Sequence, residues 1–141
     1  MDRSFRFSHE LRVRYSEIDG QGIVFNAHYM TYLDVAMTEY FRTVLGENWL
    51  EKYKNTFDIA LVKSTLEFQR PARLDEQLSI WCSVNHIGTS SFTAAFEITK
   101  KNDPAILLKA EQIHVNYDAS EATSVPIPAD VRSLMQQYEG H

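Results

Sequence analysis

One cysteine, Cys82, is the entire thiol content of the 141 residues, which excludes an intramolecular disulfide framework and any paired-cysteine metal or redox motif. Basic charge is scarce as well: 14 Lys+Arg stand against 19 Asp+Glu, a net charge of -5. Nucleic-acid binding needs clustered cations, so nucleic acid is not expected as a partner. No apolar run approaches the roughly 18 residues of a membrane span. The start, Met1-Asp2-Arg3-Ser4-Phe5-Arg6, lacks the apolar stretch of a secretory leader, so the expectation is a soluble cytoplasmic protein. Five glycines and four prolines are too dispersed to form a linker, and no repeat is visible, which predicts a single domain over residues 1–141. There is no G-x-S-x-G elbow, G-x-G-x-x-G loop or P-loop. His9, His28, His86, His114 and His141 lack the spacing of a zinc-binding helix, so neither a Ser or Cys hydrolase nor a metal or other cofactor is indicated.

What is present is a strongly patterned chain, 44% hydrophobic and 23% charged. Phe5, Phe7, Leu11, Val13 and Tyr15 alternate with polar residues, the period-two mark of a half-buried strand. His9 falls on its apolar parity and reads as a half-buried structural histidine. Tyr29, Tyr32, Leu33, Ala36, Met37, Tyr40, Phe41, Val44 and Leu45 then recur at helical spacing. They predict a long, wide-faced helix over about 27–45, with Asn26 at its N-cap and Gly46 at its stop. Further strands are expected near 59–68, 78–84, 92–98 and 107–117, and a short helix over 48–55. In the strand 107–117 the apolar parity changes from Leu108 and Ala110 to Ile113, Val115 and Tyr117, which predicts a bulge or two buried faces. Pro128 opens a C-terminal helix to about Tyr138. One long helix on a mostly antiparallel sheet is an α+β architecture, and its uncovered sheet edges favour pairing with a second copy.

The informative segment is the loop before the long helix, Asp19-Gly20-Gln21-Gly22-Ile23-Val24-Phe25-Asn26-Ala27-His28-Tyr29. A carboxylate sits a few residues before a helix start whose first N–H groups lack intrahelical partners and carry the positive end of the dipole. A carboxylate facing such N–H groups can attack a carbonyl and hold the oxyanion that forms. The simpler reading is that Asp19 closes a turn that Gly20 and Gly22 permit. Spacing alone leaves both readings open.

The run Asp19-x-x-Gly22-Ile23-Val24-Phe25-Asn26-Ala27-His28-Tyr29 resembles the active-site signature of hotdog-fold acyl-CoA thioesterases, in the group of 4-hydroxybenzoyl-CoA thioesterase and the Tol-Pal-associated acyl-CoA thioesterases. Two further stretches resemble the same family in the same order. They are Glu67-Phe68-Gln69-Arg70-Pro71-Ala72-Arg73-Leu74-Asp75-Glu76, leading into the sheet, and the turn Ile87-Gly88-Thr89-Ser90-Ser91-Phe92. The resemblance spans about residues 7–130. It implies a hotdog fold: a long central helix wrapped by a five- to six-stranded antiparallel sheet, with a short C-terminal helix. It implies hydrolysis of an acyl-CoA thioester, with Asp19 as nucleophile or general base and the backbone N–H of Asn26 as oxyanion donor. The side chains depart from the Tol-Pal type, which has His and Asn seven and nine residues after the aspartate; here Asn26 precedes His28. Asn at the first position also resembles the acyl-ACP thioesterase branch, so acyl carrier protein stays open as a substrate carrier.

Around that centre, His28 is a candidate for binding the carbonyl or water, for orienting Asp19 or for capping the helix. Gly22, Tyr29, Arg70, Arg73, Ser90 and Ser91 are candidate substrate-binding residues. Arg70, Arg73, Lys100 and Lys101 are candidate cations for the coenzyme A phosphates, although a solvated sheet edge explains each equally well. Glu39, deep in the helix, is expected to face solvent or a subunit contact. The expected assembly is a homodimer with sites at the interface, extended to a dimer of dimers. The alternative function is a hotdog module that binds acyl-CoA, acyl carrier or protein without turnover.

Overall fold

The computed structural model describes residues 5–141; Met1–Ser4, the beginning of the stretch read above for a leader, lie outside the described residues. The chain opens with β1 (Phe7–Arg12) and a 3-10 turn (Tyr15–Glu17), then forms α1 (Asn26–Leu45) and the one-turn helix α2 (Trp49–Lys52). Four long strands follow, β2 (Ile59–Phe68), β3 (Gln77–Ile87), β4 (Ser91–Lys100) and β5 (Ile106–Asp118). A two-residue strand β6 (Thr123–Ser124) and helix α3 (Ala129–Glu139) complete it. The sheet order is β1-β3-β4-β5-β2, every pairing is antiparallel, and β6 hangs on β5. The long helix, the six strands, the short C-terminal helix and the stop at Gly46 are as expected.

The apolar stripe of α1 explains the architecture. Tyr29, Tyr32, Leu33, Ala36, Met37, Tyr40, Phe41 and Leu45 are all buried, against the inner face of the sheet with Leu78, Ile80, Val84, Phe92, Phe96 and Ile98. Phe41 is the hub: its ring meets Phe57 and Phe92 edge-on at 5.4 and 5.8 Å and Trp49 at 5.1 Å. Gly46 ends the helix at φ 118°, a conformation L side chains rarely adopt. The helix α3 closes one end, burying Val131 and Met135, and its Glu139 accepts hydrogen bonds from the Tyr40 hydroxyl and from Val84 N–H.

Two expectations are corrected. The N-cap of α1 is Phe25, in extended conformation, and Asn26 is the first helical residue. The bulky Phe25 takes that place because its N–H is held by the Glu17 carbonyl at 2.9 Å, a backbone contact that no side chain specifies. In β5 there is no change of face where the apolar parity changes. The buried face runs on through Leu108, Ala110, Gln112, His114 and Asn116, while Ile113 and Val115 are half-buried on the other side. Polar residues are tolerated inside because they find partners. Gln112 donates to Ser64 at 3.1 Å, and Asn116 donates to the Thr56 and Pro126 carbonyls at 2.9 and 3.0 Å. The expected bulge is present opposite the parity change but on the neighbouring strand: Leu61 pairs His114 and Lys63 pairs Ile113, so Val62 of β2 is the extra residue, and a second irregularity lies where Ile98 pairs Leu108 but Thr99 pairs Ile106.

His114 stacks on Phe92 at 5.1 Å, and burial pushes its imidazole down to about 4. It is therefore neutral in the folded chain at pH 7, whereas the unfolded chain protonates it below about 6.5. Its contribution to stability is complete above that value and is lost as pH falls towards 4, at about 1.4 kcal/mol per pH unit. Urea unfolding across pH 8 to 4 is expected to show this slope, with the His114 ring resonances unchanged in NMR down to about pH 5.

Candidate active site

The loop between the 3-10 turn and α1 folds on itself. Ile18 and Val24 form an antiparallel bridge. Asp19 N–H donates to the Ile23 carbonyl at 2.8 Å, and Gly22 N–H donates to the Asp19 carbonyl at 3.0 Å. Gly22 sits at φ 77°, which is why a glycine is needed at this bend. Asp19 Oδ1 accepts from Gln21 N–H at 2.8 Å, so the turn-closing reading of Asp19 is seen directly. The other carboxylate oxygen has no hydrogen-bond partner among the described residues.

Glu17 ties this loop to the helix. Its buried carboxylate accepts from Arg14 N–H at 2.9 Å, from Arg14 Nε at 2.8 Å and from the Tyr32 hydroxyl at 2.7 Å. Burial pushes the Glu17 carboxyl up, but the hydrogen bonds from Arg14 and Tyr32 and the Arg14 charge outweigh it and hold the group below the usual carboxylate range. Tyr32 is driven the other way, far up, by burial and by its bond to Glu17.

At the helix start, Val24 N–H donates to the Ala72 carbonyl and His28 N–H to the Phe25 carbonyl, both at 2.9 Å. The N–H groups of Asn26 and Ala27 have no acceptor among the described residues, and both residues are exposed. They lie at the positive end of a 20-residue helix. Beside them runs a groove of about 220 Å³ lined by Ile23, Val24, Asn26, Tyr29, Phe68 and Arg70 among others. Tyr29 is a fixed wall of it: the ring packs on Phe68 at 5.5 Å, the hydroxyl accepts from Ala72 N–H at 3.3 Å, and burial raises its pKa. A carboxylate one short loop from two unpaired N–H groups can activate a carbonyl and stabilise its oxyanion.

Asp19, Gly22, Asn26, Tyr29 and Arg70 are thus brought to one end of the sheet. Arg73 is close by, its backbone bridged to groove-lining Ile23 and its side chain exposed. His28 makes no hydrogen bond to Asp19 among the described residues; its ring lies edge-on to Phe25 at 6.2 Å, so it does not orient the carboxylate. Ser90 and Ser91 are not at this end. Ser90 lies in the β3–β4 turn and Ser91 opens β4, beyond the eleven residues of β3, which is about 35 Å away at the usual rise per strand residue. There Arg132 clamps the turn through the Ile87, Gly88 and Thr89 carbonyls. Lys100 and Lys101 face Glu76 and Glu10 at 2.8 and 3.5 Å, and Glu39 pairs with Arg42 at 3.2 Å. A groove of about 900 Å³ is also at the far end; Lys52 and Lys54 share it with Asp58, Asp118 and Asp130, a mixture that does not select an anion. No cluster of three or more His, Cys, Asp or Glu able to hold a metal occurs among the described residues, and no helix there is long and apolar enough to cross a membrane.

Residues 21–106 match the thioesterase superfamily, beginning two residues after Asp19. The chain belongs to that superfamily. The hotdog fold and the thioester hydrolase expected from the loop motif are borne out. An acyl-CoA thioesterase YbgC of Haemophilus influenzae is 26% identical over 135 residues, covering 94% of this chain and 96% of the relative. A thioesterase of Thermus thermophilus solved with coenzyme A and Zn superposes with a TM-score of 0.83 at 21% identity, covering 99% of this chain and 98% of the other. A mutant 4-hydroxybenzoyl CoA thioesterase complexed with 4-hydroxybenzoyl CoA gives 0.82 at 20% identity, with 92% and 97% covered.

Glu17 stands in the sequence as a second carboxylate near the motif, but a charged residue gives no sign there of its burial. Replacing Tyr32 by Phe removes one of the four donors to Glu17, the others being Arg14 N–H, Nε and Nη2. We expect a loss of about 1.5–3 kcal/mol, the usual worth of a hydrogen bond to a charged group, measured by urea unfolding at pH 7. Because Glu17 is held low, its contribution is present at neutral pH and lost on acidification through its folded pKa. The acid-unfolding midpoint of Tyr32→Phe should therefore lie above that of the parent chain.

Proposed function

We propose that this chain hydrolyses acyl-CoA thioesters at Asp19 and the N-terminus of α1, in a site completed by a second copy. The observation that carries the reading is the placement of the Asp19 loop against a helix start whose Asn26 and Ala27 N–H groups are unpaired. The thioester carbonyl accepts from the Asn26 N–H, which draws charge onto its oxygen. The free Asp19 oxygen then acts on the carbonyl carbon. Glu17 is fully engaged by Arg14 and Tyr32, so it is no second base for water, and this favours Asp19 as nucleophile. Its oxygen adds to the carbon, the C–S bond breaks with release of the coenzyme A thiolate, and water hydrolyses the resulting anhydride. Arg70 and Arg73, exposed and without a carboxylate partner among the described residues, suit the coenzyme A phosphates. An acyl carrier protein would present the same pantetheine arm.

The shared site follows from β2. This ten-residue strand is an edge of the sheet, and it exposes Leu61 by 40%, Val62 by 58% and Phe68 by 51%. A long apolar edge is a template for pairing. A two-fold axis near its centre would extend the sheet antiparallel and place the Phe68 end of one copy beside the Ile59 end of the other. The turn bearing Ser90 and Ser91 would then approach the partner's Asp19 end. Sedimentation at micromolar concentration should show a dimer, and Val62→Lys should shift it towards monomer; a folded, fully active monomer would remove the shared-site part of the reading.

Thiol release from a panel of acyl-CoAs tests the chemistry. Asp19→Asn should keep the fold and acyl-CoA binding while losing about 10²-fold or more in turnover, the usual worth of a positioned nucleophile or base. Asn26→Ala should lose far less, because the donor is its backbone N–H. Near-full hydrolysis by Asp19→Asn of every ester tried would contradict the proposal.

A further inference from the structure

Two grooves lie along one seam, between α1 and the inner face of β2. The first, about 220 Å³, is at the Asn26 end, with Tyr29 and Phe68 in its walls. The second, about 330 Å³, lies further along α1, with Asp34, Met37, Ile59 and Leu61 among its lining residues. The order along the strand follows the order along the helix. Phe68, Ser64 and Leu61 pair with Leu108, Gln112 and His114 of β5, all three buried, so they share the inner face. Tyr29 meets Phe68 at 5.5 Å between ring centroids, and next along the seam Met30 Sδ accepts from the Ser64 hydroxyl at 3.5 Å.

The Met30–Ser64 contact stands between the two grooves. Asn26, Met30 and Asp34 are four residues apart and occupy successive turns of one helix flank. At the helical rise Met30 is about 6 Å and Asp34 about 12 Å along the axis from Asn26. This partition is soft. A thioether is a weak acceptor, and an unbranched methionine side chain turns about three bonds. A serine on an inner face, between Leu66 and Leu61, has a reason here. Gln112 Nε2 donates to its oxygen at 3.1 Å, which leaves the hydroxyl proton for Met30.

We propose that Met30 is a gate that sets the length of the acyl group this chain accepts, with the Ser64 hydroxyl as its latch. The proposal rests on the hydrolase reading, in which the thioester carbonyl lies at the Asn26 N–H. From that point a short acyl group fills the first groove and ends at Met30. A longer one enters the second groove only by swinging Met30 off Ser64, which forfeits their contact. The wall past the gate is built mainly of Met37, Phe41, Trp49, Ile59 and Leu61, a surface that suits methylene groups.

The test compares kcat/KM for butyryl-CoA and dodecanoyl-CoA, and the wild type should favour butyryl-CoA. Met30→Ala removes the partition and should raise the dodecanoyl-to-butyryl ratio by about tenfold or more, the scale on which apolar pockets discriminate by size. Met30→Phe puts a larger, stiffer side chain there and should lower the ratio. Damage to the fold would move both esters together, so opposite shifts of the ratio read the gate itself. A wild-type preference for dodecanoyl-CoA, or a ratio that the two variants leave unchanged or move in the same direction, would overturn the gate while butyryl-CoA hydrolysis stands. Calorimetric titration of both esters into Asp19→Asn, with and without Met30→Ala, reads the gate without turnover. If the wild type hydrolyses neither ester but Met30→Ala tightens dodecanoyl-CoA alone by about tenfold, the hydrolase reading fails and the gate stands. Unchanged Kd values overturn the gate.

Discussion

The buried Glu17 carboxylate holds the site together. It is bound by Arg14 on its own loop and by Tyr32 two turns into α1, while its backbone carbonyl takes the Phe25 N–H. One residue thereby fixes both ends of the segment that contains Asp19. Held in this way, the loop cannot drift relative to the helix start, and the carboxylate and the Asn26 N–H keep their relation without any contact between them. Catalytic groups need positions fixed to a fraction of an ångström. The cost of burying a charge is met here by four donors and an opposite charge.

A second constraint comes from the sheet. Its order leaves β2 at an edge, with an apolar surface that one copy does not cover. The inner face of β5 next to that edge is polar rather than oily, through Gln112, His114 and Asn116. The apolar edge makes sense if it belongs to an interface between copies.

Much of this was legible in the sequence. Period and punctuation located α1, the four long strands, Gly46 and the C-terminal helix, because burial of one face writes itself into the spacing of apolar residues. The loop motif singled out Asp19, Gly22, Asn26 and Tyr29, which the fold gathers near the start of α1. What escaped has physical reasons. Glu17, Gln112 and His114 are polar residues buried by their partners, and hydropathy patterns expect polar residues to face water. The parity of β5 misled for the same cause, since its inner face is built from hydrogen-bonded side chains. The N-cap moved to Phe25 because a backbone contact, invisible in side-chain identity, sets the cap. Ser90 and Ser91 matched a motif but lie a sheet length from Asp19, and whether they meet it depends on a second copy that no single sequence displays.

The most direct measurement is a crystal structure of the chain with a non-hydrolysable ketone analogue of an acyl-CoA. The account predicts the ketone oxygen within about 3 Å of the Asn26 N–H, as an oxyanion donor requires. It also predicts the free Asp19 oxygen facing the ketone carbon. An analogue bound to a monomer, or with its ketone away from the start of α1, would contradict it.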